Sequence, residues 1–192
     1  YWDKRSTRSR ILRAMTPEWK KAYECGIFTE FMEQRGPGHT VGSFKIYEKG
    51  FLDYKADIQE SIDKLDFMTD PEAFDKKSEL EGMKLACDAI MILGERYAAY
   101  ARELAEKETD ETRKKELLQI AANCDVVPAH KPQTYWQAIQ MYWFVHLGVT
   151  SELNPWDAYS PGRLDQHLNP FYEKDVEDGI LDDEKALELL EC

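Results

Sequence analysis

No stretch of this sequence is apolar enough for long enough to cross a bilayer. A span needs about 18 consecutive apolar residues, and the densest stretch, 135–149, is interrupted by Gln137, Gln140 and His146. The first residues do not read as a signal peptide. The four cysteines, Cys25, Cys87, Cys124 and Cys192, are scattered and include no Cys-x-x-Cys pair. That spacing argues against a zinc site or a disulfide scaffold, and for reduced thiols in a cytoplasmic protein. Positive charge is scarce: 25 Lys and Arg stand against 37 Asp and Glu, a net charge of −12. That balance argues against nucleic-acid binding, because phosphate neutralisation needs clustered basic residues. No P-loop, no Gly-x-Gly-x-x-Gly and no Gly-x-Ser-x-Gly occurs, and there is no internal repeat or low-complexity tract.

What remains is a helical pattern in 192 residues, with 43% of them apolar. Trp2, Ile11, Leu12 and Met15 already follow a helical register. Thr16-Pro17-Glu18 is a start signal: a capping hydroxyl, proline at the first position and acid in the first turn. That helix meets Gly26 and is expected to resume over 27–32. Arg35-Gly36-Pro37-Gly38-His39-Thr40 must be a loop. Residues 42–47 have the look of a short strand. A helix follows from about Gly50, with Phe51, Tyr54, Ile58, Ile62 and Leu65 on one stripe. Asp70-Pro71 opens the longest helix, to about Lys107, striped by Leu80, Met83, Cys87, Ile90, Gly94, Tyr97, Ala101 and Leu104. Asp110 starts another, which Val126-Val127-Pro128 breaks. The helix from Gln133 to about Leu147 is apolar nearly all round, and such a helix is expected to be buried on all sides. Residues 149–160 read as irregular. Pro161-Gly162 starts a short helix, Asn169-Pro170 a second, and Asp182 the last.

Two ends that run in helical register, with no polar linker at either, suggest an internal fragment of a domain, 1–192, cut within helices at both ends.

Three positions draw chemical attention. His39 is flanked by glycines, which let the backbone turn and present an imidazole in a cleft; the residues alone favour a turn histidine bonded to backbone. Asp157 follows Trp156 in the irregular segment, where partial desolvation would call for a cation; the residues alone favour a helix or turn cap. Asp165 reads as a helix cap or a partner for a nearby arginine. Metal binding has little support, since His130, His146 and His167 fall on separate stretches with no paired spacing. Cys87 and Cys124 lie on helix stripes as small apolar residues.

Several motifs together resemble the glycyl radical enzyme superfamily, the pyruvate formate-lyase-like enzymes. They are Thr16-Pro17-Glu18-Trp19, the run from Glu30 to Thr40, Val127-Pro128-Ala129-His130 with the aromatic helix after it, and Pro161 to Tyr172. The segment Gly148 to Pro161, with its Trp156-Asp157, is most similar to the branch that dehydrates trans-4-hydroxy-L-proline. The resemblance implies that this mainly α segment is part of the helical shell of a ten-stranded α/β barrel. It implies a parent carbon–oxygen lyase, homo-oligomeric, whose glycyl radical is installed by an activating enzyme that uses S-adenosylmethionine and an iron–sulfur cluster. Neither the cysteine loop nor the glycine loop of the superfamily matches a stretch of this chain, so the chain alone is expected to be inactive. By position, Phe31, His39 and Asp157 match residues that line the substrate pocket in the hydroxyproline branch. The resemblance thereby implies catalytic roles for His39 and Asp157 and an apolar wall at Phe31. A diol dehydratase, a formate acetyltransferase or a non-catalytic helical module are the alternatives left open.

Overall fold

The computed structural model of the chain describes residues 5, 7–27, 42–152 and 160–191. Among them the regular structure is entirely helical: α1 (Thr7–Ala14), α2 (Pro17–Glu24), α3 (Lys45–Glu48), α4 (Phe51–Asp63), α5 (Ala73–Lys107), α6 (Glu111–Val126), α7 (Tyr135–Glu152), α8 (Leu164–Glu177) and α9 (Asp183–Glu191).

Caps decide where several of these helices begin. The Thr16 hydroxyl accepts from the Trp19 amide at 3.2 Å, with Pro17 in the first turn of α2. The Asp110 carboxylate accepts from the amides of Thr112 and Arg113 at 2.8 and 2.9 Å, satisfying first-turn donors of α6. α2 stops because Gly26 takes a left-handed φ of +71°, which lets Ile27 donate back to the Ala22 carbonyl at 3.1 Å. The start of α4 is held from outside. Its Phe51 and Leu52 amides donate to the carbonyls of Pro128 and Ala129 at 2.9 and 3.0 Å, and Gly50 lies so close to that turn that a Cβ would sit 2.2 Å from the Ala129 oxygen.

α4, α5 and α6 pack as successive hairpins. One small cluster, Ile58, Ile62 and Cys87, joins α4 to α5. The larger core gathers α7 at its centre: Tyr135, Ala138, Met141, Phe144 and Val145 meet Ile90 and Ala98 of α5, Cys124 of α6, Ile46 and Tyr47 of α3, Leu168 of α8 and Ala186 of α9. Burying Met141 and Phe144 completely contributes on the order of 2 kcal/mol apiece.

Three expectations from the sequence are corrected. Residues 42–47 form no strand: Gly42 at φ +71° makes a turn whose carbonyl accepts from Lys45, and one helical turn follows. α7 continues to Glu152, past the expected break, because Gly148 lets it approach Ile90 of α5, where a Cβ would be 2.6 Å from the Ile90 Cδ1. Asn169-Pro170 starts no new helix. Proline removes one internal donor, yet α8 runs through it while Leu168, Phe171 and Tyr172 pack against the core. Within this segment Trp143 of α7 is 50% exposed.

Candidate functional site

Phe31, His39 and Asp157 all lie outside the described residues. The structure instead describes the elements from which their segments depart and to which they return. The segment 28–41 delivers the chain to Gly42 and α3. The segment 153–159 joins the end of α7 to Ser160 and the start of α8.

α3, to which the first segment returns, packs in one corner with α7 and α8, between which the second segment runs. Ile46 and Tyr47 of α3 are buried in the main core with α7 and α8. The Tyr47 ring lies 5.4 Å from the His167 ring and 6.2 Å from Phe171, both on α8. Leaving α7, the chain passes Thr150, whose hydroxyl donates to the His146 carbonyl at 2.9 Å. Entering α8, the Gly162 amide donates to the Ser160 hydroxyl at 3.0 Å.

The start of α7 is fixed by a residue that does not stand out in the linear pattern. Asp175 of α8 is only 2% exposed, and its carboxylate accepts from the Tyr135 amide at 2.7 Å. A carboxylate at a helix N-terminus satisfies an orphan donor and faces the positive end of the helix dipole. The Asp175 carbonyl also accepts from Ile180 and Leu181, at 2.8 and 3.1 Å, closing α8. One residue thus ties the start of α7 to the end of α8. Nothing in the linear pattern distinguishes it from the other acids of that helix, because its role exists only once α7 and α8 meet.

The chemistry of the corner is aromatic and hydrogen-bonding. Burial pushes the Tyr47 phenol up to about 12, with Tyr142 adding to the rise, so it is a neutral donor throughout the physiological range. The Tyr142 hydroxyl lies 3.4 Å from Nδ1 of His146, whose ring stacks on Trp143 at 5.6 Å. His146 is therefore partnered and half-buried. No described thiol belongs to this corner as a nucleophile. Cys87 and Cys124 are buried among helices, where desolvation raises both, Cys124 to about 11. Cys25 is exposed beyond α2. Asp165 is exposed in the first turn of α8. Among the described residues no group of three or more His, Cys, Asp or Glu is arranged to hold a metal, and no helix is long and apolar enough to cross a membrane.

Comparison with known proteins adds what the corner alone does not give. A family model described as pyruvate formate lyase-like matches residues 1–192. The trans-4-hydroxy-L-proline dehydratase of Clostridioides difficile is 67% identical over 192 residues, covering 100% of this chain and 24% of that protein. The crystal structure of hydroxyproline dehydratase from the same organism, with trans-4-hydroxy-L-proline bound, matches with a TM-score of 0.88 and 68% identity, over 100% of this chain and 24% of the other. A structure concerned with 1,2-propanediol dehydration in Roseburia inulinivorans matches with a TM-score of 0.87 and 33% identity, over 100% of this chain and 23% of the other. The chain therefore spans about a quarter of the length of the relatives it matches.

Proposed function

The chain belongs to the pyruvate formate lyase-like family, and from that membership we propose that it is the pocket-wall segment of a glycyl radical dehydratase that eliminates water from trans-4-hydroxy-L-proline to give pyrroline-5-carboxylate. The observation that carries this reading is the 67% identity to a hydroxyproline dehydratase along the whole chain. The helical shell described above is the matching portion of the fold, and we take residues 1–192 as one internal part of a larger catalytic domain in a cytoplasmic enzyme.

Each of the three site residues has a physical task in such a pocket. The substrate carries a ring ammonium and a C4 hydroxyl. Asp157 pairs with the ammonium, a charge-assisted contact that strengthens where water is excluded. His39 hydrogen-bonds the hydroxyl and donates the proton it needs to leave as water. Phe31 packs on the ring and keeps solvent out. The glycyl radical, installed by a radical S-adenosylmethionine activating enzyme with an iron–sulfur cluster, supplies hydrogen abstraction; the radical glycine and its partner cysteine belong to polypeptide outside this chain. The shared corner of α3, α7 and α8 supports the reading, since the segment bearing His39 returns to α3 and the one bearing Asp157 runs from α7 to α8.

The test is anaerobic turnover by the activated full-length enzyme. Hydroxyproline is consumed by the wild type, and His39→Ala and Asp157→Asn each lower kcat/KM by about 100-fold or more. Unchanged rates in both variants, or consumption of a diol and not of hydroxyproline, would overturn the assignment. The diol arm is specific, because a 1,2-propanediol dehydration structure matches this chain closely.

A further inference from the structure

Where α3 meets α8, two polar atoms are buried and, among the described residues, no group hydrogen-bonds to either one. They are the Tyr47 hydroxyl and Nδ1 of His167. Tyr47 is 7% exposed. The two rings lie 5.4 Å apart, tilted by 42°, without bonding to each other. The Phe171 ring lies 6.2 Å from the Tyr47 ring, and Tyr142 is close enough to raise the phenol further. Leaving one buried polar atom unsatisfied is costly, and two on rings 5.4 Å apart can be satisfied by one shared partner. A phenol donates and a neutral imidazole nitrogen accepts, or the reverse, so a molecule that both donates and accepts suits them together. Water is the smallest such molecule, and buried water characteristically joins polar groups that would otherwise be unpaired.

We propose that Tyr47 and His167 are a positioning pair joined through one internal water, and that this bridge sets the register of α3 on α8. α3 follows the segment that carries His39, and α8 follows the segment that carries Asp157. A bridge between the two helices therefore fixes the spacing of the points at which the two pocket segments rejoin the described helices. The inference rests on the reading of His39 and Asp157 as pocket residues. Neither Tyr47 nor His167 touches substrate in this scheme; both act through the elements they join.

The experiment uses the activated full-length enzyme with Tyr47→Phe, His167→Leu, the double variant and His167→Asn. Asparagine can return a hydrogen-bonding atom near the place of Nδ1, whereas leucine cannot. Each of the first two variants is expected to lower kcat/KM for hydroxyproline by about ten-fold, as a misplaced pocket does. The double variant should lose no more than the worse single, because both remove one bridge, and His167→Asn should recover to within about three-fold of wild type. Losses that multiply in the double variant, or unchanged kcat/KM in enzyme whose melting temperature has fallen, would leave the pair a packing feature and overturn the proposal. If the wild type does not consume hydroxyproline, the functional reading has failed, and the bridge is judged on melting temperature alone. Coupled shifts in the double variant then support it, and independent shifts refute it.

Discussion

Tyr47 and Cys124 show how burial at single residues becomes pH dependence. Their folded values of about 12 and about 11 compare with 10.0 and 9.0 in an ordinary setting, and desolvation is the main cause of both rises. Because the folded state holds these protons more tightly, the unfolded chain loses them first as pH rises. Their contribution is fully present below about pH 9 and is lost between about pH 9 and 12, at up to roughly 1.4 kcal/mol per pH unit for each group. Thermal unfolding of the full-length protein should therefore fall in temperature through this window. Cys124→Ala should flatten the lower half of the decline and Tyr47→Phe the upper half; slopes unchanged in both variants would mean that neither group titrates as described. At this scale the sequence was informative about chemical type and poor on environment. Cys87 and Cys124 are buried apolar thiols, as their stripes suggested. Asp175, Tyr47 and His167 carried no linear mark, because what distinguishes them is a partner, or the lack of one, on another helix. The three residues singled out for the pocket, Phe31, His39 and Asp157, lie outside the described residues, and their roles rest on the family motifs.

The long helix α5 shows the same division for an element. Its existence and its start near Asp70-Pro71 were legible from caps and apolar content. Its buried face was legible only in part. The sequence stripe alternated steps of three and four, a period of 3.5, and so passed through Tyr97 and Leu104. The structure buries Cys87, Ile90, Gly94, Ala98, Ala101 and Ala105, while Tyr97 and Leu104 are exposed. A straight helix of period 3.6 drifts by about 20° per heptad against a 3.5 repeat, which moves the contact from 97 to 98 and from 104 to 105. Two glycines of α5 test this placement with opposite signs. At Gly82 a Cβ would meet nothing within 4 Å, so Gly82→Ala should stabilise by about 0.5–1 kcal/mol through helix propensity. At Gly94 the same Cβ would lie 2.5 Å from Cδ of Pro128 and 3.3 Å from the Val127 carbonyl oxygen. Gly94→Ala should therefore destabilise, by about 1–3 kcal/mol of overpacking. Denaturant midpoints for the two variants would decide it, and shifts of the same sign would contradict the helix pairing. Asp175→Ala belongs to this scale too. It strips the partner from the buried Tyr135 amide and should cost about 1–3 kcal/mol by the same measurement. An unchanged midpoint would mean that α7 needs no such anchor.

For the molecule as a whole, apolar surface and relative length point the same way. Leu85 and Ile92, 70% and 52% exposed, lie on one outer face of α5, and Trp143 projects from the central helix α7. Isolated large apolar side chains are ordinary on a protein surface, but these occur on two principal helices of a segment that spans about a quarter of its relatives. The isolated 192-residue chain should accordingly bind a fluorescent apolar dye, self-associate at micromolar concentration and turn over no hydroxyproline. A monodisperse, dye-silent monomer would contradict the view that the rest of the polypeptide covers these faces. The most direct measurement is a crystal structure of the full-length protein with trans-4-hydroxy-L-proline bound. The expected result places the His39 imidazole within about 3 Å of the C4 hydroxyl and the Asp157 carboxylate within about 3 Å of the ring ammonium, in one closed cavity. Finding the two side chains on separate outer surfaces, with the ligand bound elsewhere, would contradict the assignment of this segment to the wall of the reaction chamber.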